Sequence, residues 1–162
     1  MIANFVELLP VLERHKVPFI LIGGGAAIVH GSHRVTTDVD VVYSRNPDHV
    51  ARLAEALRSH QPYLRGAPPG LPFRWDAPTI LAGLNFTLTT DLGDIDFLGE
   101  VAGGGTYDQL LASTIEIEAF GVKCRCVTLE RLIQLKRAAG RAKDLEAIAE
   151  LQAILDQRRA VN

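Results

Sequence analysis

The chain has 162 residues, 48% of them hydrophobic and 22% charged, with a formal net charge of −2. These values exclude a disordered chain and a broadly cationic nucleic-acid binder, and they fit one domain, residues 1–162, large enough to bury a core. No apolar run approaches the ~20 residues of a membrane span, and the N-terminus lacks a basic region followed by an apolar core, so a cytoplasmic protein with no membrane association is expected.

In chain order, the first predicted element is a helix around Phe5 to His15, with Phe5, Leu8, Leu9 and Leu12 apolar and Pro10 expected to kink or interrupt it. Phe19 to Ile22 is a short strand that runs into Gly23-Gly24-Gly25, where the backbone can turn sharply and bring its N–H groups against a ligand. A short helix over Ala26 to Val29, stopped by Gly31, would aim its free donors at the same spot and make an anion site. A tight turn between packed elements is the alternative reading. His30 and His33 flank Gly31 and read as capping or surface groups.

The next strand carries Asp38 and Asp40 among Val39, Val41 and Val42. Alternate strand residues share a face, so the two acids project together, roughly 7 Å apart. Two carboxylates on an apolar strand call for a cation between them, and Mg²⁺ accepts one or two carboxylates together with phosphate oxygens. A solvated strand end is the alternative. Asn46-Pro47-Asp48 then starts a helix whose buried stripe is Val50, Leu53 and Leu57.

Residues 61–76 are proline-rich and hold the only tryptophan, Trp75, with Arg65 and Arg74. Two readings stay open: a flap over a nucleotide, with Trp75 on a base and an arginine on phosphate, or a surface loop plugged by Trp75. Leu84 to Thr90 and Asp94 to Gly99 form a predicted hairpin around Asp91-Leu92-Gly93. Asp96, flanked by Ile95 and Phe97, is the candidate third carboxylate of the sheet, and Asp94 reads as a residue that ends the turn. Three acids on adjacent strands would hold two Mg²⁺ ions.

Thr106 opens a helix through Leu111, and two strands follow, Ile115 to Phe120 and Val122 to Val127. Cys124 and Cys126 alternate on the second and read as buried free thiols. Thr128 caps a helix in which Lys136 falls on the apolar stripe, either to snorkel out or to reach a phosphate. Asp144 shares an inward face with Ile148, Leu151 and Leu155, and a salt bridge to a nearby Lys or Arg is expected. Strands mixed with helices and a hairpin indicate an α/β fold, a mixed β-sheet flanked by helices with further helices at the C-terminus.

The run Gly24-Gly25-Ala26-Ala27, Arg34, Thr36, Asp38-Val39-Asp40, followed by the lone Asp96, resembles the nucleotidyltransferase superfamily that includes the polymerase-beta-like enzymes. It is more closely similar to small stand-alone AbiEii-like members, in which Gly-Gly-x-Ala precedes Arg-x-Thr/Ser-x-Asp-apolar-Asp. Many members carry Ser after the first glycine, where this chain has Gly25. Lys136 followed by Arg141, Lys143 and Asp144 is similar to the C-terminal signature of the same group. The likeness spans about Val17 to Leu155.

This resemblance implies a nucleotidyltransferase-like fold and Mg²⁺-dependent transfer of a nucleoside monophosphate from a nucleoside triphosphate to a hydroxyl. By it, Asp38, Asp40 and Asp96 are catalytic residues of a site for two Mg²⁺ ions, Asp96 binding metal or acting as general base toward the acceptor, and Lys136 neutralises developing charge. Gly24, Gly25, Arg34, Thr36 and Lys143 are implied to bind the nucleotide. An RNA or protein acceptor, a toxin–antitoxin context and an antitoxin partner are further implications. The competing expectation is a catalytically degenerate nucleotide-binding module or one subunit of a two-protein complex. The discriminator is whether Asp96 faces the Asp38/Asp40 pair.

Overall fold

The computed structural model describes residues 3–161. Helix α1 (Phe5–Arg14) runs through Pro10 unbroken. The carbonyl that Pro10 cannot satisfy is that of Val6, a residue 65% exposed, so water can replace the missing donor. Strand β1 (Phe19–Ile22), helix α2 (Gly23–Val29) and strand β2 (Val39–Tyr43) follow, and β2 begins one residue after Asp38. The expected glycine turn is absorbed into α2, which starts directly at the end of β1. Helix α3 (Pro47–Leu57) starts as its sequence predicts, with the Asn46 side chain accepting from the Asp48 N–H.

Strand β3 (Tyr63–Leu64) and helix α4 (Ala77–Ala82) lie in and after the proline-rich segment, and the hairpin β4 (Asn85–Thr90) and β5 (Gly93–Leu98) comes next. A second small hairpin, β6 (Glu100–Val101) with β7 (Gly105–Thr106), leads into α5 (Tyr107–Leu110), which Thr106 and Gln109 close with a capping box. The helix expected through Leu111 ends a residue early and passes into a 3₁₀ turn, Leu111–Ser113. Strands β8 (Thr114–Ala119) and β9 (Val122–Val127) and helices α6 (Leu129–Ala139) and α7 (Ala142–Val161) complete the chain.

Seven strands form one mixed sheet in the order β3-β4-β5-β2-β1-β9-β8. β2 runs parallel to β5, and β1 parallel to β9, while the remaining neighbours are antiparallel. The centre is the most apolar part, since every residue of β1 is buried, as are Val39, Val41 and Val42 of β2. α1 packs on α3 and α3 on α4; α2 packs on α6 and α6 on α7. The latter group stands over the sheet face that carries Asp40.

Trp75 is a plug. Its ring lies 5.3 Å from that of Phe86 and 5.6 Å from that of Phe97, and its indole N–H donates to the Leu53 carbonyl. Cys124 and Cys126 are buried free thiols, and burial first pushes them up to about 11 and about 12. Among the described residues no helix is long and apolar enough to cross a membrane.

Candidate active site

A row of side chains crosses one face of the sheet at the level of Asp40. Asp40 is the cross-strand partner of Asp96, and Asp96 of Thr87. Arg65, one residue beyond β3, donates its N–H to the Thr87 carbonyl and continues the row. Parallel pairing of β2 with β5 thus puts two carboxylates side by side, close enough to share a hydrogen bond. Burial, the charge of Asp96, that hydrogen bond and the charge of Asp38 push Asp40 up to about 7, against the pull of Lys136.

Asp96 therefore faces the pair. Asp38 lies just before the strand, and its Oδ1 is 3.6 Å from Nη1 of Arg65. The same guanidinium donates from Nη2 to Oδ1 of Asp96 at 2.8 Å, while its Nε is 3.3 Å from Oδ2 of Asp94. Asp94, expected to end the turn, is instead a residue of β5 paired with Thr89 and part of this acidic group. As the side chains stand, no three His, Cys, Asp or Glu among the described residues converge on one metal position.

The three glycines have three different neighbours. Gly23 is left-handed, with φ of 62°, and a Cβ there would sit 2.3 Å from Oδ2 of Asp40. At Gly24 a Cβ would meet the Thr36 hydroxyl at 2.3 Å, and that hydroxyl donates to the Asp38 carbonyl. Thr36 thereby fixes the approach to the acids. Gly25 faces inward instead, and a Cβ there would lie 2.5 Å from the Phe5 ring, which itself stacks on Phe120. The serine common at this position in the resembling family has no room while Phe5 is in place.

Opposite the acids, α6 and the residue just before α7 supply cations. Lys136 is 17% exposed, and its Nζ lies 3.6 Å from Oδ1 of Asp144, a carboxylate 2% exposed. Arg141 donates from Nε to Oδ2 of the same residue at 2.6 Å. Burial alone would raise the Asp144 pKa, but the hydrogen bond from Arg141 and the charges of Arg141 and Lys136 outweigh it and leave the carboxyl below its ordinary value. Lys136 on the apolar stripe neither snorkels freely nor stands alone.

The segment between α2 and β2 closes one side. Ser32 donates to Glu150, the His33 N–H donates to the same carboxylate, and Arg34 is 3.5 Å from Glu146. His30 is buried below, with Nε2 on the Val127 carbonyl at 2.7 Å. Between these walls lies a cavity of about 340 Å³, lined by residues that include Gly24, Arg34, Thr36, Asp38, Asp40, Asp96, Lys136 and Lys143. Gly25 is outside its lining. Gly23, Arg141 and Asp144 also line it. In the sequence Gly23 is only the first residue of the glycine run, and nothing local shows that its Cα packs on Asp40.

No protein-family model matches the chain, and a search of curated proteins gave no significant match. Solved structures do share its architecture. The lincosamide antibiotic adenylyltransferase LnuA, in its lincomycin-bound crystal structure, superposes with a TM-score of 0.61 at 15% identity, covering 93% of this chain and 96% of that one. An antigenic nucleotidyltransferase-like protein from Paracoccidioides brasiliensis gives 0.57 at 15% identity, over 94% of this chain and 74% of that one. The Thermotoga maritima protein TM1012 gives 0.53, also at 15% identity, over 91% and 93%. The fold is nucleotidyltransferase-like, a mixed sheet flanked by helices with two more at the C-terminus.

Proposed function

We propose that the protein is a Mg²⁺-dependent nucleotidyltransferase that moves a nucleoside monophosphate from a nucleoside triphosphate onto an acceptor hydroxyl and releases pyrophosphate. The observation that carries this reading is the Asp40–Asp96 pair, in cross-strand register along a cavity that Lys136 and Arg141 also line. Acids on one wall and cations on the other match a triphosphate bound together with a divalent cation.

The donor set fits such an ion. Two carboxylates side by side repel unless a proton or a cation lies between them, and burial first, then the charge of Asp96, push Asp40 up to about 7. Asp40 and Asp96 would hold Mg²⁺, with Asp38 as a third ligand and two ions as the fuller form of the site. When bound, the metal supplies Lewis acidity at the phosphoryl oxygens and a lowered pKa for the acceptor hydroxyl.

The chain's own groups account for the rest. Asp96 takes the proton of the acceptor hydroxyl as that oxygen bonds to the α-phosphorus and the bond from phosphorus to the bridging oxygen breaks. Lys136, steadied by Asp144, takes up charge on the departing pyrophosphate, with Lys143 nearby on the cavity wall. Gly24 leaves the backbone open to phosphate, Thr36 and Arg34 border the nucleotide, and Gly25 serves by packing on Phe5.

The motif resemblance argues for RNA or protein as acceptor, and for a toxin with an antitoxin partner. The likeness to LnuA adds a small-molecule hydroxyl. The test is incubation of each α-labelled nucleoside triphosphate and Mg²⁺ with tRNA, with protein and with hydroxylated small molecules. Label transfer that disappears in Asp40→Asn and Asp96→Asn is the expected result. Absence of both transfer and Mg²⁺-dependent triphosphate binding would overturn the reading. One observation favours a second reading, a nucleotide-binding module without turnover: Arg65 is set among three of the acids. Mg²⁺-dependent binding without transfer to any acceptor would select it.

A further inference from the structure

Among the described residues, Arg65 is the one cation that stands among the acids rather than across the cavity from them. It follows the two-residue edge strand β3, and its guanidinium reaches across β4 to Asp96 and Asp94 on β5 and to Asp38 before β2. Nη2 also donates to the Leu88 carbonyl at 2.8 Å, and Nε is buried without a hydrogen bond. The segment that carries it is held on both sides. Tyr63 donates to the Pro68 carbonyl and lies edge-on to Phe73, and Trp75 is wedged against Phe86 and Phe97.

Two of its three carboxylates, Asp38 and Asp96, are ones the nucleotidyl-transfer reading assigns to a divalent cation; the third, Asp94, has no part in that assignment. A guanidinium and a divalent cation on the same carboxylates repel and compete for the same lone pairs. Asp94 and the Leu88 carbonyl give the guanidinium partners to keep when it yields the other two.

We propose that Arg65 is a positioning residue, an internal counter-ion that holds Asp38 and Asp96 and makes entry of a divalent cation depend on a bound triphosphate. The inference rests on the metal site proposed above. A free cation must displace a guanidinium from carboxylates it needs. A cation that arrives with a triphosphate brings phosphate oxygens as ligands and needs fewer of them. Arg65 thus keeps Asp38, Asp94 and Asp96 together in the resting protein and sets a low affinity for the ion by itself.

The experiment counts free Mn²⁺, standing in for Mg²⁺, by electron paramagnetic resonance in titrations of the full chain. It is run with and without a non-hydrolysable α,β-methylene triphosphate, for the wild type, Arg65→Gln and Arg65→Lys. The wild type is expected to bind Mn²⁺ weakly alone and much more tightly with the analogue. Arg65→Gln is expected to bind Mn²⁺ alone about tenfold more tightly than the wild type, so that the gain from the analogue shrinks. Arg65→Lys, which keeps the charge but loses the fork that spans three carboxylates, is expected between them. It carries the test by itself if Arg65→Gln does not fold. A wild type that binds with the analogue and variants that bind Mn²⁺ no more tightly would overturn the role of Arg65 and leave the metal site standing. No Mn²⁺ binding by any form, with or without the analogue, would overturn both.

Discussion

Asp40 and Asp96 lie side by side on the paired strands β2 and β5, and the titration of Asp40 links stability to activity. Folding raises the Asp40 pKa from 3.8 to about 7, chiefly through burial and then through Asp96. Between those values the folded chain binds more protons than the unfolded one, so this contribution to stability is fully present below about pH 4 and is lost as pH rises to about 7. Asp40→Asn, which needs no proton, should therefore be more stable than the wild type at pH 8 without divalent cation. About 1–2 kcal/mol is expected, after discounting a shift shared between two carboxylates. Nucleotide transfer should fall by on the order of 10²-fold or more. Thermal unfolding and label transfer on the same preparation check both signs.

Asp144 holds Lys136 and Arg141 from an almost fully buried position, so its loss leaves two cations short of a partner. Asp144→Asn should lower stability by about 1–3 kcal/mol and weaken triphosphate binding by about tenfold through Lys136. Lys136→Met keeps the apolar stem and should cost little stability, but it should weaken binding at least as much. Calorimetric titration beside denaturant unfolding separates the two; equal binding in all three proteins would place Lys136 outside the site.

Gly23 tests the packing beneath Asp40. Alanine at a φ of 62° costs about 1–2 kcal/mol, and its Cβ would press on Oδ2 of Asp40, the movable end of a side chain. The fold should survive in Gly23→Ala while the carboxylate is pushed out of place. Transfer activity is then expected to drop far more than stability, and a variant with full activity would contradict the close approach.

His30 supplies an acid-side dependence of a different origin. Its Nε2–H donates to Val127 and its Nδ1 faces Arg158, which also donates to the His30 carbonyl. Burial, helped by the charge of Arg158, lowers its pKa below 6.5 despite the Val127 hydrogen bond. The unfolded chain takes up this proton first as pH falls, so the contribution is complete above about pH 6.5 and declines below it. Urea unfolding between pH 7 and pH 5 should show a loss of up to roughly 1.4 kcal/mol per pH unit that His30→Gln lacks.

Local pattern explains what was legible in advance. The α/β class, the helix from Pro47, the β4–β5 hairpin and the alternation of Cys124 and Cys126 all follow from periodicity and capping residues close together in the chain. α4, β3 and the β6–β7 hairpin were not legible, because two-residue strands and a helix of six residues, under two turns, are too short to show their periods. Of the kink or break that Pro10 predicts, the structure does not make the break, since the carbonyl that Pro10 leaves without a donor, that of Val6, is on an exposed turn.

The amino-acid sequence by itself determined where charge enters the apolar pattern: Asp40 among the valines of β2, Asp96 between Ile95 and Phe97, and Lys136 on the apolar stripe of α6, whereas Asp38, expected on the same strand face as Asp40, lies one residue before β2. Tertiary structure alone decided who meets whom. Parallel pairing brought Asp96 beside Asp40, α1 placed Phe5 where a side chain on Gly25 would go, and an edge strand delivered Arg65 to Asp96, 31 residues away in the chain. Alternation within a strand is set by backbone geometry over a few residues. Register between strands is set by how the whole core packs, and no short stretch of sequence records it.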